Sequence, residues 1–396
     1  YNRILLSPVL TGEQTIQDII LNDLSWYESN GINLLMNQSV VNIDRVHRQV
    51  HTRDGTKVPY DRLLLATGSN PFVLPVDGHA LEGVVTFRDI HDVNVMIEAA
   101  GVRRRAVVIG GGLLGLEAAN GLAVRGMEVT VVHLGNALLD RQLDEPAAAM
   151  LRKSLEDRGL RFLMAHQTSA IVDDGHGRVG AIRFSNGHEL QTDLVVMAVG
   201  IRPNYALAQK AGLHVDRGIV VSDTMQTYDP SIYAVGECVS HRGTAYGLVA
   251  PLFEQAKVAA NHLALHGIAR YEGSVTSTKL KVTGIDVFSA GDFIGNANTE
   301  CITLADPDGG VYKKLVVQDD KLVGACLYGD TADGAWYFRL IREGKSIHEI
   351  RDQLMFGEGA IGDAGHAGEN TVAGMPDSAE VCGCNGVCKG TIVKAI

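Results

Sequence analysis

The chain has 396 residues, 46% of them hydrophobic and 20% charged, a composition that excludes a disordered chain and can fill roughly two to four packed domains. With 35 basic against 46 acidic residues the formal charge is −11, so no positive field recruits nucleic acid or an anionic membrane, and the short basic run at 103–105 is a solvated turn before a strand. No apolar run reaches the ~18 to 20 residues of a membrane span, no export signal is evident, and scattered cysteines are not a disulfide framework, so a soluble cytoplasmic protein is expected.

After the opening YNRILLSP, the segment GINLLM from Gly31 reads as a short strand. A hairpin at Asp54-Gly55 follows, then an apolar strand at 62–67 that ends in a small residue and glycine. Next comes VVIGGGLLGLEAANGLAVRGMEVTVVH: a strand at 106–109, a glycine loop, a helix, and a strand at 128–133. Then GLRFLM from Gly159, a hairpin at Asn186-Gly187 and an apolar strand at 194–199 repeat the first pattern. Further on stand IYAVGE at 232–237, a helix from Ala250, a β-rich passage, and a helix at 333–343. A glycine- and alanine-rich stretch at 357–378 is a linker by composition, and VCGCNGVCKGTIVKAI closes the chain.

The repeat holds a single register. Gly55 falls on Gly187, Asp61 on Asp193, Ala66 on Ala198, Gly68 on Gly200 and Pro71 on Pro203, each pair 132 residues apart, whereas Gly31 and Gly159 are 128 apart. The second copy therefore carries four extra residues (132 − 128) in between, and two related domains are implied.

Gly110, Gly112 and Gly115 stand at GxGxxG spacing inside a complete βαβ context. Gly110 permits the tight turn, Gly112 lets backbone approach a pyrophosphate, and Gly115 lets helix meet strand, while Gly111, Leu113 and Leu114 complete a loop whose amides face phosphate. Dinucleotide binding follows. The strand ends in His133 rather than the usual acid. Three readings stay open for it: contact with a ribose 2′-hydroxyl, contact with a 2′-phosphate helped by Arg141, or a strand-end surface position. NADH and NADPH are not separated. A matching loop for the first copy would lie tens of residues ahead of Tyr1, so the chain is expected to be a piece of a longer protein.

Two dinucleotide domains whose strands end in ATG (66–68) and AVG (198–200), followed by IYAVGE, resemble the two-dinucleotide-binding flavoprotein reductases over residues 1–268. The resemblance implies an α/β architecture: two Rossmann-like domains of the FAD/NAD(P) reductase type, then a small α/β domain. Residues 1–100 and 219–268 would form an FAD domain without its N-terminal part, and 101–218 the NAD(P)H domain. Residues 269–356 would be the small domain, 357–380 the linker, and 381–396 the start of a 2Fe-2S domain. It implies flavin contacts from Arg3, Ser7, Ala66, Thr67 and Gly68, and a carboxylate, Glu237 after Gly236, for a ribityl hydroxyl. The helix from Ala250, with Pro251 and Phe253, would aim its N-terminus at the isoalloxazine carbonyl. Gly200 joins the cofactor residues. Glu117 either orients the nicotinamide or is a helix-start carboxylate. Hydride transfer needs no acid or base, so no catalytic residue is assigned.

Disulfide reductases of this group carry thiols in the opening segment; here no cysteine precedes Cys238, so electrons leave the flavin for another acceptor. Cys238, Cys301 and Cys326 read as small buried residues. Cys382 and Cys384 resemble the first ligand pair of bacterioferritin-associated-ferredoxin-type 2Fe-2S domains, with Cys388 outside the ligand set; zinc or an incidental trio are the alternatives. The domain order is similar to the large subunits of the assimilatory NAD(P)H nitrite reductase family. That similarity implies electron flow from NAD(P)H through FAD and the 2Fe-2S cluster to siroheme and 4Fe-4S centres, on a siroheme domain or small subunit, reducing nitrite to ammonium. A nitrate reductase electron-transfer subunit and a non-catalytic flavin-binding scaffold are the rival readings, and homodimerisation is left open.

Overall fold

The computed structural model describes residues 1–282, 284–363, 380–382 and 387–395. They group into two compact units. One comprises Tyr1–Leu34, Pro71–Ile201 and Ser277–Ile347; the other comprises Leu35–Asn70, Arg202–Thr276 and the described part of His348–Ile396.

The first unit is built on a five-stranded parallel sheet in the order Val84–Thr86, Leu194–Met197, Arg105–Ile109, Glu128–Val132 and Arg161–Leu163. Its central strands, RAVVI and LVVM, are almost wholly buried, as strands covered on both faces must be. From Arg105–Ile109 the chain builds outward on one side and later returns on the other. That reversal leaves a crevice beyond the carboxyl ends of the strands.

The helix Leu113–Val124 buries Gly115, Leu116, Ala118, Ala119, Gly121 and Leu122. A short helix, Leu6–Thr11, lies against it: a Cβ at Gly121 would come within 2.5 Å of the Leu10 side chain, and the Arg125 guanidinium donates to the Leu10 carbonyl. This packing groups the N-terminal segment with the glycine-loop helix rather than with residues 35–70. The domain boundary expected near residue 100 therefore differs from the observed division.

A second sheet of the same unit is antiparallel, in the order Ser277–Val282, Ile285–Gly291, Lys321–Tyr328, Val311–Gln318 and Glu300–Asp306. The helix Gly334–Glu343 packs on it and ends at Gly344 in the left-handed region, φ +58°. Asp144 ties this sheet to the helix Glu145–Glu156. It caps that helix through the Ala147 amide, and its buried carboxylate accepts from Tyr312 Oη at 2.6 Å and pairs with Lys314 at 3.3 Å. Desolvation beside that carboxylate pushes the Cys326 thiol up to about 12, so Cys326 is a buried thiol, as expected. Cys301, in contrast, is exposed, correcting its reading as buried: its strand Glu300–Asp306 is an edge with a partner on one side only.

In the second unit, Val40–Asp44, Gln49–Thr52 and Lys57–Pro59 form an antiparallel meander, and Leu63–Leu65 pairs in parallel with Ile232–Ala234. Ile219–Val221 pairs with Val239–His241. The helix Val249–Leu263 buries Val258 and Ala259 in the core, and its last carbonyls accept from Arg62 Nη1 at 3.0 and 2.8 Å. Among the described residues no helix is long and apolar enough to cross a membrane.

Candidate functional site

The glycine loop sits at the carboxyl end of Arg105–Ile109 and runs into the helix Leu113–Val124. Each glycine has its own reason. Gly110 has φ +121°, and a Cβ there would lie 2.2 Å from the Ala198 carbonyl oxygen; at Gly115 a Cβ would lie 1.9 Å from the Gly110 carbonyl oxygen. At Gly112, the helix N-cap, nothing stands within 4 Å of that position, and no side chain caps the helix. The loop is therefore closed on its protein side and open where an anion could reach the amides of the first turn. Leu114 is exposed at its rim.

His133 follows the strand Glu128–Val132, and its Nδ1 accepts from the Gly111 amide at 3.1 Å. Its Nε2 is out of contact with solvent and has no partner among the described residues. Arg141 is exposed, and no described contact joins it to His133.

Glu117, one turn into the helix, is held by Ser7, a residue expected at the flavin. Ser7 Oγ donates to Glu117 Oε2 at 2.5 Å. Burial pushes the Glu117 carboxyl above the ordinary carboxylate value, and the Ser7 hydroxyl pulls the other way. Arg3 lies in a 3-10 turn that leads into the helix Leu6–Thr11, which carries Ser7, and belongs to the same unit. Gly200, φ +112°, lies just past Leu194–Met197, and its carbonyl accepts from the Phe72 amide.

The second unit assembles the remaining expected residues around the end of Leu63–Leu65. Thr67 Oγ1 donates to the Asn204 carbonyl at 2.6 Å, and the Asn204 amide donates to the Gly68 carbonyl at 2.9 Å. Beside the paired strand Ile232–Ala234, Gly236 turns at φ +92° with open space at its Cβ position, and its amide donates to Gln255 Oε1 at 3.0 Å. Glu237 is only 6% exposed and accepts from Ser69 Oγ at 2.7 Å. The helix Val249–Leu263 starts without a side-chain cap, with Pro251 buried and Phe253 exposed in its first turns. Asn204, Ser69 and Gln255 were not foreseen as site residues. Asn204 directly follows the IRP segment of the repeat, and that adjacency is the one sequence signal that could have drawn attention to it.

Cys384 lies outside the described residues. Cys382 ends the strand Glu380–Cys382, which pairs with Val387–Cys388.

The family model described as pyridine nucleotide-disulphide oxidoreductase matches residues 1–262, and that of the rubredoxin NAD+ reductase C-terminal domain matches residues 277–345. Among curated proteins, a nitrite reductase [NAD(P)H] of Bacillus subtilis is 49% identical over 396 residues, covering 100% of this chain and 48% of that protein. An assimilatory nitrate reductase electron transfer subunit of the same organism is 44% identical, covering 100% of this chain and 50% of that protein. The chain thus spans about half the length of these relatives. Among solved structures, a ferredoxin reductase from Rhodopseudomonas palustris superposes with a TM-score of 0.79 at 25% identity, covering 86% of this chain and 85% of that one.

Proposed function

The chain belongs to the pyridine nucleotide-disulphide oxidoreductase family, and from that premise we propose that it is the electron-input module of an assimilatory NAD(P)H nitrite reductase. In this reading it takes a hydride from NAD(P)H and sends electrons toward an iron-sulfur and siroheme centre that reduces nitrite to ammonium, in the cytoplasm. The observation that carries the proposal is the glycine loop: a left-handed Gly110, open space at Gly112 and a helix seated on Gly115.

The residues fit the two cofactors. The loop amides from Gly112 to Leu114 would face the nicotinamide dinucleotide's pyrophosphate. Glu117, whose carboxylate accepts from the Ser7 hydroxyl, would hold the carboxamide end, so Ser7 acts through Glu117 in this proposal. In the second unit the open turn at Gly236, the carboxylate of Glu237, and the Ala66–Thr67–Gly68 strand end would receive FAD. The uncapped start of Val249–Leu263 offers a partial positive charge. When bound, the flavin supplies a two-electron acceptor that releases its electrons singly. The protein's task is placement and electrostatics. Cys382 and Cys384 would supply two of the four thiolates of a 2Fe-2S cluster.

An anaerobic titration of the flavin-loaded protein with NADH, then NADPH, tests this reading. Loss of the oxidised flavin absorbance supports it; firmly bound FAD that neither nucleotide bleaches would leave a binding scaffold instead. A second reading, an electron-transfer subunit serving a separate nitrate-reducing partner, draws on the 44% identical relative. Supplying the reduced protein with each acceptor system in turn separates the two.

A further inference from the structure

Gly236 sits at φ +92° with open space at its Cβ position. Glycine has more backbone freedom to lose than any other residue, so a turn built on it keeps one shape only where something outside the turn holds it. Glu237 is held through its carboxylate, which accepts from Ser69 Oγ. The Gly236 amide is held by Gln255, whose Oε1 accepts from it at 3.0 Å. Gln255 is 1% exposed, in the second turn of the helix Val249–Leu263.

A carboxamide can offer either end to a neighbour, and only its oxygen accepts. Here the surroundings choose the end. Gln255 Nε2 donates to the Tyr271 hydroxyl. Tyr271 Oη lies 2.8 Å from Ser274 Oγ, and the single Ser274 hydroxyl proton goes to the Glu254 carboxylate, so Tyr271 donates to Ser274. Every donor then points the same way: Gly236 to Gln255, Gln255 to Tyr271, Tyr271 to Ser274, Ser274 to Glu254. Tyr271 is itself fixed, buried with its ring 4.8 Å from that of His241 and its amide donating to the Asp223 carbonyl at 2.8 Å. Turning the carboxamide over would set its NH2 against the Gly236 amide, two buried donors with no acceptor between them.

We propose that Gln255 is the positioning residue of this turn: it fixes Gly236 and Glu237 in the shape that receives the flavin cofactor, and the Tyr271–Ser274–Glu254 chain sets which end of its carboxamide faces the turn. The inference rests on the FAD reading of the Gly236 turn and adds a residue that acts on it through the backbone.

The test is titration of the apoprotein with FAD, followed by flavin fluorescence at about pH 8 and about pH 6. Wild-type affinity is expected to agree within about 2-fold between the two, and Gln255→Leu, which has no acceptor for Gly236, should bind about 10-fold more weakly at both. Gln255→Glu separates positioning from packing. At pH 8 it buries an anion in place of a neutral amide and should bind weakly. At pH 6 it should regain most of the wild-type affinity, because burial favours the protonated carboxyl, which accepts through its carbonyl and donates through its hydroxyl as the carboxamide does. Tyr271→Phe keeps the ring against His241, deletes the hydroxyl, and should weaken FAD about 3-fold. Wild-type affinity in Gln255→Leu or Tyr271→Phe, or a Gln255→Glu profile parallel to wild type, would overturn the proposal and leave the flavin reading standing. A wild-type protein that binds no FAD would remove both.

Discussion

The two copies of the repeat share one plan and differ in what surrounds them. Both contain a three-stranded meander, at Val40–Asp44, Gln49–Thr52 and Lys57–Pro59, and at Thr168–Asp173, Val179–Phe184 and Glu189–Gln191. Both then enter an apolar strand. In the second copy that strand, Leu194–Met197, lies between two parallel partners, and Val196 is fully buried. In the first copy, Leu63–Leu65 has one partner strand, and Leu64, the counterpart of Val196, is 41% exposed. The contrast recurs upstream. Arg161–Leu163 is a strand because Glu128–Val132 offers it a ladder, whereas residues 33–35 at the matching place form no strand, and Leu34 is 42% exposed where Phe162 is 9%. Identical local patterns become strands only where a neighbour supplies hydrogen bonds.

That contrast can be broken at several points. The largest effect is expected from Gly115→Val, because the new Cβ would meet the Gly110 carbonyl oxygen at 1.9 Å and push the helix off the strand. We expect a loss of about 3 kcal/mol in unfolding free energy together with ADP-ribose binding too weak to detect by calorimetry; wild-type binding in a folded variant would refute the assigned role of the loop.

Next is the pair Asp193 and Asp61, equivalent in the repeat. Asp193 accepts from the Arg105 amide at 2.9 Å and from Arg105 Nη2 at 2.8 Å, while Asp61 is exposed, with no partner among the described residues. Asp193→Ala should cost about 2 kcal/mol in chemical denaturation and Asp61→Ala less than about 0.5 kcal/mol. Equal costs would mean that the two copies are held alike.

Glu237→Ala removes the acceptor of the Ser69 hydroxyl in a buried setting. A cost of about 1 to 2 kcal/mol is expected, along with faster loss of FAD on gel filtration; unchanged retention would take Glu237 out of the flavin site.

A smaller effect concerns pH. The Arg105 guanidinium, donating to it, holds the Asp193 carboxyl below the usual 3.8. A group lowered on folding adds stability that is fully present above its unfolded value and is lost as pH falls through the folded one. The stability gap between wild type and Asp193→Asn should therefore be constant near neutrality and narrow below about pH 4. A gap that widens on acidification would contradict the Arg105 pairing.

Much of this was legible from residue order, and the limits are physical. The fingerprint could be read because each glycine answers a short-range demand within one βαβ unit. The meanders could be read because Asp54-Gly55 and Asn186-Gly187 turns lie between alternating strands. The pairing of Ser7 with Glu117 could not, since it joins residues 110 positions apart with no periodic trace. The Asp144 cluster is similar: Tyr312 and Cys326 reach it from 168 and 182 positions away. Exposed Cys301 was misjudged because burial of a strand residue depends on whether its strand lies at an edge.

By itself, the sequence determined the two-copy plan, the glycine loop and the identity of the residue at the strand end, because spacing and small side chains act over one or two elements. Only the tertiary structure decided which strands form, which unit the opening helix joins, and which side chain takes the Gly236 amide. Those outcomes depend on partners far away in the chain, and hydrogen bonds and packing are satisfied in space rather than in order.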